Sequence, residues 1–278
     1  MSHIFFRKIL FCLIVFVASD FTSAQTFDLQ SIPTDKTQIS FRFDKPFYVN
    51  STNSTALSGL YQLKINIPTH SKGNFICEIP FIYSDYEVNQ YYGSYKYTRK
   101  GVGNIFIGFQ SNENKNEMSK SIYSYGIFLP TTSEKISLDG LFINYYELQK
   151  FTPNGVGIYF NYAYHKIKEQ GFKYGLEFGP NFIIPTNRNN TNNNFVMHYG
   201  VTIGYKVNKL LLNSELFGDL VLSGLSDSFY DRFINMFNFG AQYTQDNATP
   251  EVFYRIYLKD TFRDLISGVL GIGIILSF

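Results

Sequence analysis

An alternation of apolar and polar residues recurs along most of the chain and limits the folds that it can adopt. The clearest case is residues 195–207, where apolar side chains fill the odd positions and His198, Thr202 and Lys206 are among the even ones. Successive side chains of a β-strand point to opposite faces, so this period predicts a strand with one apolar and one polar face. Twelve further segments show the period, the weakest being 141–148: 39–43, 57–67, 75–83, 105–109, 123–129, 141–148, 156–164, 172–182, 210–222, 237–243, 252–258 and 270–278.

The residues on the apolar faces favour a membrane barrel over a soluble sheet. Tyr and Phe are abundant there, and aromatic residues make up 18% of the sequence; such rings are typical of the two membrane interfaces of a transmembrane barrel. Many segments reach the length of about 9 to 11 residues that a tilted strand needs to cross a bilayer. Since lipid cannot pair a free sheet edge, we predict an all-β fold, a closed antiparallel transmembrane β-barrel of the bacterial outer membrane. A soluble periplasmic β protein is the alternative.

The number of strands follows from parity. Thirteen candidates cannot all be right, because bacterial single-chain barrels normally have an even number of strands. We predict about 12 strands and take 39–43 as a short or periplasmic extra, because it is the shortest candidate and lies nearest the start. The barrel is then 57–278, preceded by an N-terminal segment, 25–56, with a possible short strand.

Counting strands back from the end of the chain assigns each connection to one side of the membrane. Segments 185–194 and 223–231 fall outside the cell, and the turns near 206–209 and 246–250 fall in the periplasm. The long connection 84–100 also falls on the periplasmic side, where connections are usually short. A 14-strand barrel with an extra hairpin in that segment therefore stays open.

The two ends of the sequence carry export and assembly signals. Arg7 and Lys8 precede an apolar run, 9–19, and a small-residue cleavage site that ends at Ala24, so we predict a signal peptide over 1–24. The final amphipathic segment ends in Phe278. A terminal aromatic residue of this kind resembles the signal read by the bacterial barrel assembly machinery, which we expect as a partner besides outer-membrane lipid.

The polar faces give the candidates for function. Strand alternation points a set of ionisable side chains into the lumen, the space inside the barrel, and their positive and negative charges nearly cancel. This mixed charge could line a narrow polar pore or lock it shut by ion pairs. The rings of Phe128, Phe253 and Tyr257 also point inward, as solute contacts or as packing. The lumen-lining candidates are Lys64, Glu78, Lys173, Glu177, His198, Lys206, Glu215, Asp219 and Arg255.

Three motifs follow one another in the first half of the chain. They are EIPFI at 78–82, GVGNIFIG at 101–108 and YGIFLPTT at 125–132. This order resembles the outer-membrane barrel family named for the meta-pathway of phenol degradation, which has a "PY" strand, a "GLGD" turn and an "LPTG" strand end. The chain differs at Phe81, Asn104 and Thr132, where the family has Tyr, Asp and Gly. The resemblance implies transport of hydrophobic or aromatic compounds.

The same motifs have a structural explanation. Glycine accepts a positive φ, which Gly101 and Gly103 could supply at a turn. Pro130 can end a strand because proline donates no ladder hydrogen bond.

Motifs for chemistry are scarce. His198 with Ser214 or Ser226 could form the pair of a surface lipid-modifying enzyme, but the alternation places His198 inside the barrel, whereas such a pair must face lipid. We recognise no metal or cofactor motif in the sequence, and the net charge of +2 argues against a nucleic-acid partner. We therefore predict a non-catalytic barrel, a channel or transporter for small hydrophobic or aromatic solutes. A closed structural or adhesive barrel with partner-binding loops is the main alternative, and the enzyme is a less favoured one.

Overall fold

In a computed structural model, the described residues form one antiparallel sheet that closes on itself. These residues are 26–49, 53–69, 73–90, 93–116, 119–144, 147–166, 170–186, 194–223 and 232–278. The predicted signal peptide, 1–24, lies outside them and stays a prediction. Among the described residues, no helix is long and apolar enough to cross a membrane.

Strands account for most of the described chain. They are β1 (Gln38–Tyr48), β2 (Asn53–Ser54), β3 (Gly59–Pro68), β4 (Gly73–Gln90), β5 (Gly93–Val102), β6 (Phe106–Asn116), β7 (Ser119–Phe128), β8 (Gly155–Lys166), β9 (Gly171–Pro185), β10 (Asn194–Val207), β11 (Leu210–Val221), β12 (Phe233–Tyr243), β13 (Ala248–Tyr257) and β14 (Ile266–Ser277). Three helices interrupt them: α1 (Glu134–Ile143), α2 (Leu148–Phe151) and α3 (Asp260–Arg263).

Twelve strands close the barrel, because β5 and β6 together form one strand of the wall and β2 is an extra. Residues 81–90 of β4 pair with β5, and the last pair is Phe81 with Val102. Residues 73–78 of β4 pair with β6, and the last pair is Glu78 with Phe106. Residues 103–105 thus stand opposite only 79 and 80. One strand has one residue more than its partner, which is a β-bulge. The prediction of about 12 strands is confirmed, and the 14-strand alternative is wrong.

The prediction for segment 39–43 was wrong. Segment 39–43 lies in β1, which pairs with both β3 and β14 and so closes the barrel; its interpretation as an extra is wrong. The barrel begins at Gln38, inside the segment assigned to an N-terminal extension. The apolar alternation stops at Lys45, on the outer face, but the strand continues because this charge has a partner: Lys45 donates to Thr55 O at 2.5 Å. Asp44 keeps the alternation, since it lies on the polar inner face and accepts from Nη2 of Arg42 at 3.2 Å.

A second error concerns 141–148, which we counted as a weak strand. The segment contains the end of α1 and the start of α2, and its two faces are not sorted by a period of two because the described part is helical. Because the strands were counted back from the end of the chain, removing this one strand moves 84–100 to the other side of the membrane. That segment is not a long connection: β4 runs to Gln90 and β5 starts at Gly93, and the hairpin projects on the same side as the connections between β9 and β10 and between β11 and β12.

The barrel has a long-loop end, where these connections lie, and a short-turn end, which holds the turns between β3 and β4, β8 and β9, β10 and β11, and β12 and β13. Apolar side chains cover its outside; Phe172 is 69% exposed and Ile203 is 56% exposed. Charged side chains such as Glu215 and Arg255 are buried inside. This arrangement is the reverse of a soluble sheet protein and matches a wall that faces lipid.

Candidate functional site: the barrel lumen

All nine predicted lumen-lining residues lie on the inner face of the wall. Eight of them are buried, and Lys64 is half-buried at the edge of a cavity. Whether any of them meets a solute stays a prediction. The structure shows instead that most of the lumen is filled, from the short-turn end by the N-terminal segment (26–37) and from the long-loop end by the inward loop (129–144 and 147–154).

The N-terminal segment is held by carboxylates of the wall. Both oxygens of Glu215 accept backbone N–H groups, from Phe27 at 2.8 Å and from Asp28 at 3.0 Å. Glu177 accepts the N–H of Gln30 at 2.6 Å. An isolated extended segment leaves its backbone donors unpaired, and a carboxylate is a strong acceptor for them. Two of the predicted acidic residues therefore bind the protein's own backbone.

Asp28 lies at the centre of a buried ion-pair cluster, which we call the charged layer. Its carboxylate lies 2.7 Å from Nη2 of Arg255 and 3.0 Å from Nη1 of Arg42. Asp44 lies 3.0 Å from Nε of Arg42 and 3.3 Å from Nη2 of Arg255, so each guanidinium contacts both carboxylates. The ring of Phe253 lies 5.1 Å from one guanidinium carbon and 5.5 Å from the other. Two positive and two negative charges balance in a site that excludes solvent, which is the condition for stable buried ions.

His198 belongs to a second buried polar cluster. Its Nε2 lies 3.1 Å from Glu177 and its Nδ1 lies 3.0 Å from Asp219. Ser214 points to the outer face of β11, away from His198, and Ser226 lies outside the described residues. The structure therefore does not bring His198 and Ser214 together, and the enzyme alternative has no assembled pair in the described chain.

Near the long-loop end, the inner face is apolar, and we call this region the apolar layer. Leu60, Ile82, Ile234 and Tyr257 lie near the ends of their paired segments on that side, and residues of the inward loop cover them. The buried members of the cluster are Leu29, Leu60, Ile82, Ile143, Phe151, Phe217, Ile234, Met236, Tyr257, Phe262, Ile266 and Val269. Tyr257 also donates from its hydroxyl to the carbonyls of Phe142 and Ile143, at 3.0 and 2.9 Å.

The three sequence motifs meet at α2 and hold the inward loop. Gly103 at the bulge donates its N–H to Pro80 O at 2.8 Å, and Asn104 donates its N–H to Lys150 O at 2.7 Å. The Asn104 amide then donates from Nδ2 to the carbonyls of Gln149 and Thr152, at 2.6 and 2.7 Å. Its Oδ1 accepts from Thr132 N at 2.9 Å. A single buried amide thus joins the wall, the loop start and the short helix.

The role of the motif glycines differs from the sequence prediction. Among the glycines of the described chain, only Gly171 has a positive φ, so that reason for Gly101 and Gly103 is wrong. Gly103 is required by close approach instead: a Cβ there would lie 2.7 Å from Lys150 O and 2.7 Å from the Phe151 ring. The bulge can contact α2 only without a side chain.

Lys150 anchors α2 to the wall electrostatically. Its ammonium contacts the carboxylate of Glu78, lies 2.5 Å from Glu147 and donates to Gln62 at 3.1 Å. Burial alone would lower the pKa of Lys150, but the Glu147 and Glu78 carboxylates outweigh it and raise the pKa above its ordinary value of 10.5. A raised lysine pKa gives stability that is complete below the unfolded pKa and is lost as pH rises through the folded one. The anchor is therefore fully charged at neutral pH.

A small cavity lies between the N-terminal segment and the inner faces of β1, β3 and β4. Its volume is about 110 Å³, and it is lined mainly by polar groups, among them Arg42, Gln62, Lys64 and Glu251. An apolar cavity of about 150 Å³ admits benzene in an engineered protein. This cavity is smaller and polar, so it suits a few water molecules and not an aromatic solute.

Sequence reasoning missed several of the residues that fill the lumen. Asp28 was overlooked, although Phe27 and Leu29 alternate with Asp28 and Gln30 and gave a signal for an ordered segment. Lys150 gave no signal, because its partner Glu78 lies 72 positions away and on another element. Among the described residues, no group of three or more His, Cys, Asp or Glu side chains could hold a metal ion.

Comparison with known proteins gives the fold. No family model matches the sequence, and no curated protein matches it. Among solved structures, the COG4313 outer membrane channel from Pseudomonas putida F1 is similar with a TM-score of 0.62 at 11% identity, over 92% of this chain and 100% of that one. KdgM porin is similar with a TM-score of 0.51 at 9% identity, over 87% of this chain and 99% of that one. At such identity, the likeness shows a shared outer-membrane barrel fold.

Proposed function

We propose that this chain is a non-catalytic channel of the bacterial outer membrane for small hydrophobic or aromatic solutes, and that the structure holds its closed state. The observation that carries this proposal is the apolar layer. A water-filled pore is lined by polar side chains, whereas here the inner wall near the long-loop end is built from Leu60, Ile82 and Met236. These residues are covered by Ile143 and Phe151 of the inward loop, which occupy the space that a solute would take.

The chemistry of the loop side chains indicates the chemistry of the solute. A molecule that replaces Phe151 must cover the same apolar wall, because leaving that wall in water would expose buried hydrophobic area. An aliphatic or aromatic compound satisfies this condition and a sugar or an ion does not. The outer-membrane barrel fold and the motif resemblance to the phenol-degradation family are consistent with the proposal.

The filled lumen also supports a second candidate function, a closed structural or adhesive barrel whose loops bind a partner. In that case the inward loop is a permanent part of the core. The two candidates differ in one property: whether the inward loop leaves the apolar layer in the folded protein.

A reversible lock on the loop separates the candidates. A Cβ on Gly101 of the wall would lie 3.3 Å from Cγ2 and 3.6 Å from Cγ1 of Ile136 in α1, so the two positions are in contact and we choose Gly101→Cys with Ile136→Cys as the disulfide pair. Cys77→Ser removes the free thiol at Cys77. The measurement is uptake of radiolabelled toluene into proteoliposomes whose outer leaflet contains lipopolysaccharide, with and without reductant.

For a channel, we expect uptake to fall to the protein-free level when the lock is oxidised and to return when it is reduced. The matched control, Gly101→Cys in the same Cys77→Ser background, should not respond to the oxidant. Uptake by the wild-type protein at the protein-free level would overturn the channel in favour of the structural barrel. Equal uptake by the oxidised and reduced forms would show that the inward loop is not the gate.

A further inference from the structure

An apolar groove crosses the outer wall over β1, β3 and β4. Its volume is about 500 Å³, and its lining includes the side chains of Phe41, Tyr61, Phe81, Tyr83 and Leu57. The rings form a row, with centroids 6.3 Å apart between Phe41 and Tyr61 and 6.2 Å apart between Tyr61 and Phe81. The surface along the row is therefore a groove, and a groove suits an elongated apolar group.

The upper edge of the groove is held in place by polar contacts. The Tyr61 hydroxyl donates to Leu57 O at 2.6 Å. The ammonium of Lys45 donates to Thr55 O at 2.5 Å and to Ser58 O at 3.1 Å, which fixes the turn on both sides of Leu57. Leu57 itself is 66% exposed. Its turn is held so that an apolar side chain extends outward, which is favourable only if that side chain meets other apolar groups.

The outer face changes from apolar to charged at the end of this groove. Cross-strand partners share a face, and the outward pairs of β4 and β5 are Phe81 with Val102, Tyr83 with Lys100, Asp85 with Thr98 and Glu87 with Lys96. Beyond the groove, this face therefore holds two lysines and two carboxylates, and Lys100 is the lysine beside the groove. Lys100 is exposed, and the side chain of Lys96 is 68% exposed with Asp85 at 3.4 Å. The level of Tyr83 and Lys100 therefore has the composition of a membrane interface, with a cation directly above the groove.

From this juxtaposition we infer that the groove is a binding site for one phosphorylated glycolipid of the outer leaflet. Its acyl chains lie along the Phe41, Tyr61 and Phe81 rings, and its phosphate binds Lys100, with Lys96 as the second cation. An ammonium and a phosphate form charge-assisted hydrogen bonds, and the apolar rings select against a free anion. The inference rests on the proposed outer-membrane location, with the long-loop end outside, and is independent of solute transport.

The test is native mass spectrometry of the detergent-purified protein titrated with lipid A, phosphatidylglycerol or dephosphorylated lipid A. We expect one lipid A to bind, with affinity at least tenfold weaker for the dephosphorylated form and for phosphatidylglycerol. Lys100→Gln with Lys96→Gln should weaken lipid A binding about tenfold, which is the effect of about 1.4 kcal/mol. Phe81→Ala should also weaken it.

Two matched variants control for net charge and for general surface hydrophobicity. Lys135→Gln removes a charge from an exposed residue of α1, and Leu212→Ala removes an apolar side chain from a different outer groove. Neither should change lipid A binding. Equal binding of lipid A by the wild type and the double lysine variant, or tight lysine-dependent binding of phosphatidylglycerol, would overturn the inference. The toluene uptake described above remains a separate measurement, so failure of either proposal is recognised independently.

Discussion

The charged layer and the apolar layer both fill the lumen, but different forces hold their two plugs. The N-terminal segment is fixed by Asp28 between Arg42 and Arg255 and by Glu215 on its backbone. The inward loop is fixed by the packing of Ile143 and Phe151 and by the amide of Asn104.

The difference indicates which plug can give way to a solute. Removing one partner of a buried ion pair leaves an uncompensated charge, so a neutral solute cannot take the place of Asp28 between the two arginines. Apolar packing accepts other groups of similar size. We therefore expect the inward loop to be exchangeable for a hydrophobic solute, and the N-terminal segment to be the more firmly held of the two plugs.

The largest effect should come from Arg255→Ala in the charged layer. Arg255 is fully buried, and its loss leaves Asp28 and Asp44 with Arg42 as their one remaining guanidinium. We expect the free energy of unfolding to fall by about 3–5 kcal/mol, measured by urea denaturation in detergent micelles, with increased proteolysis of the N-terminal segment.

Arg263→Ala is the control for this substitution. Arg263 pairs with Asp260 at 2.5 Å, but its side chain is 60% exposed. The cost of losing this pair should be less than about 0.5 kcal/mol. A similar cost for both arginine variants would contradict the view that burial makes the charged layer a lock.

Asn104→Asp should have the next largest effect and should act on the other plug. The carboxylate cannot donate to Gln149 O and Thr152 O, and it introduces a charge at a position that is 1% exposed. We expect a loss of about 2–3 kcal/mol and faster hydrogen exchange in α1 and α2. Exchange in the N-terminal segment should change much less.

Asn247→Asp, in an exposed turn at the short-turn end, makes the same chemical change as a control and should have little effect. Unchanged exchange of α1 and α2 in Asn104→Asp would show that the motif residues do not hold the inward loop.

Glu215→Gln should have a smaller and more local effect. Glutamine keeps one oxygen acceptor, so only one of the Phe27 and Asp28 N–H groups can still be paired. We expect a loss of about 1–2 kcal/mol and faster exchange of these two amides by NMR. Glu113→Gln, at an exposed site on β6, is the matched control. Exchange at the wild-type rate would mean that Glu215 does not hold the segment.

The smallest expected effect is a coupling free energy, which tests whether the charged layer and the apolar layer act as one unit. Nη1 of Arg255 donates to Ile143 O at 3.3 Å, which links the charged layer to the inward loop. Combining Arg255→Ala with Asn104→Asp should therefore give a coupling free energy of about 0.5–1 kcal/mol in a double-mutant cycle. Additivity within error would show two independent plugs.

The strand period explains why much of the fold was predictable. In β10, His198 and Lys206 are inside and Tyr205 is outside, as the alternation requires, because the direction of a strand side chain is set by its position alone. Segment 141–148 was misread because periodicity alone does not separate a short apolar strand from a short apolar helical segment. β1 was undervalued because Lys45 interrupts its apolar face, and the partner of Lys45, Thr55 O, lies outside β1.

The sequence by itself determined an all-β barrel, the face on which each strand residue lies and the mixed charge of the lumen, because these follow from a local period of two residues. Only the tertiary structure decided that the lumen is filled, and by which residues. Asp28 and Arg255 are 227 positions apart, and Asn104 meets Gln149 across 45 positions. Such pairs depend on how the sheet closes and on which segments fold inward, and a local pattern contains no record of either.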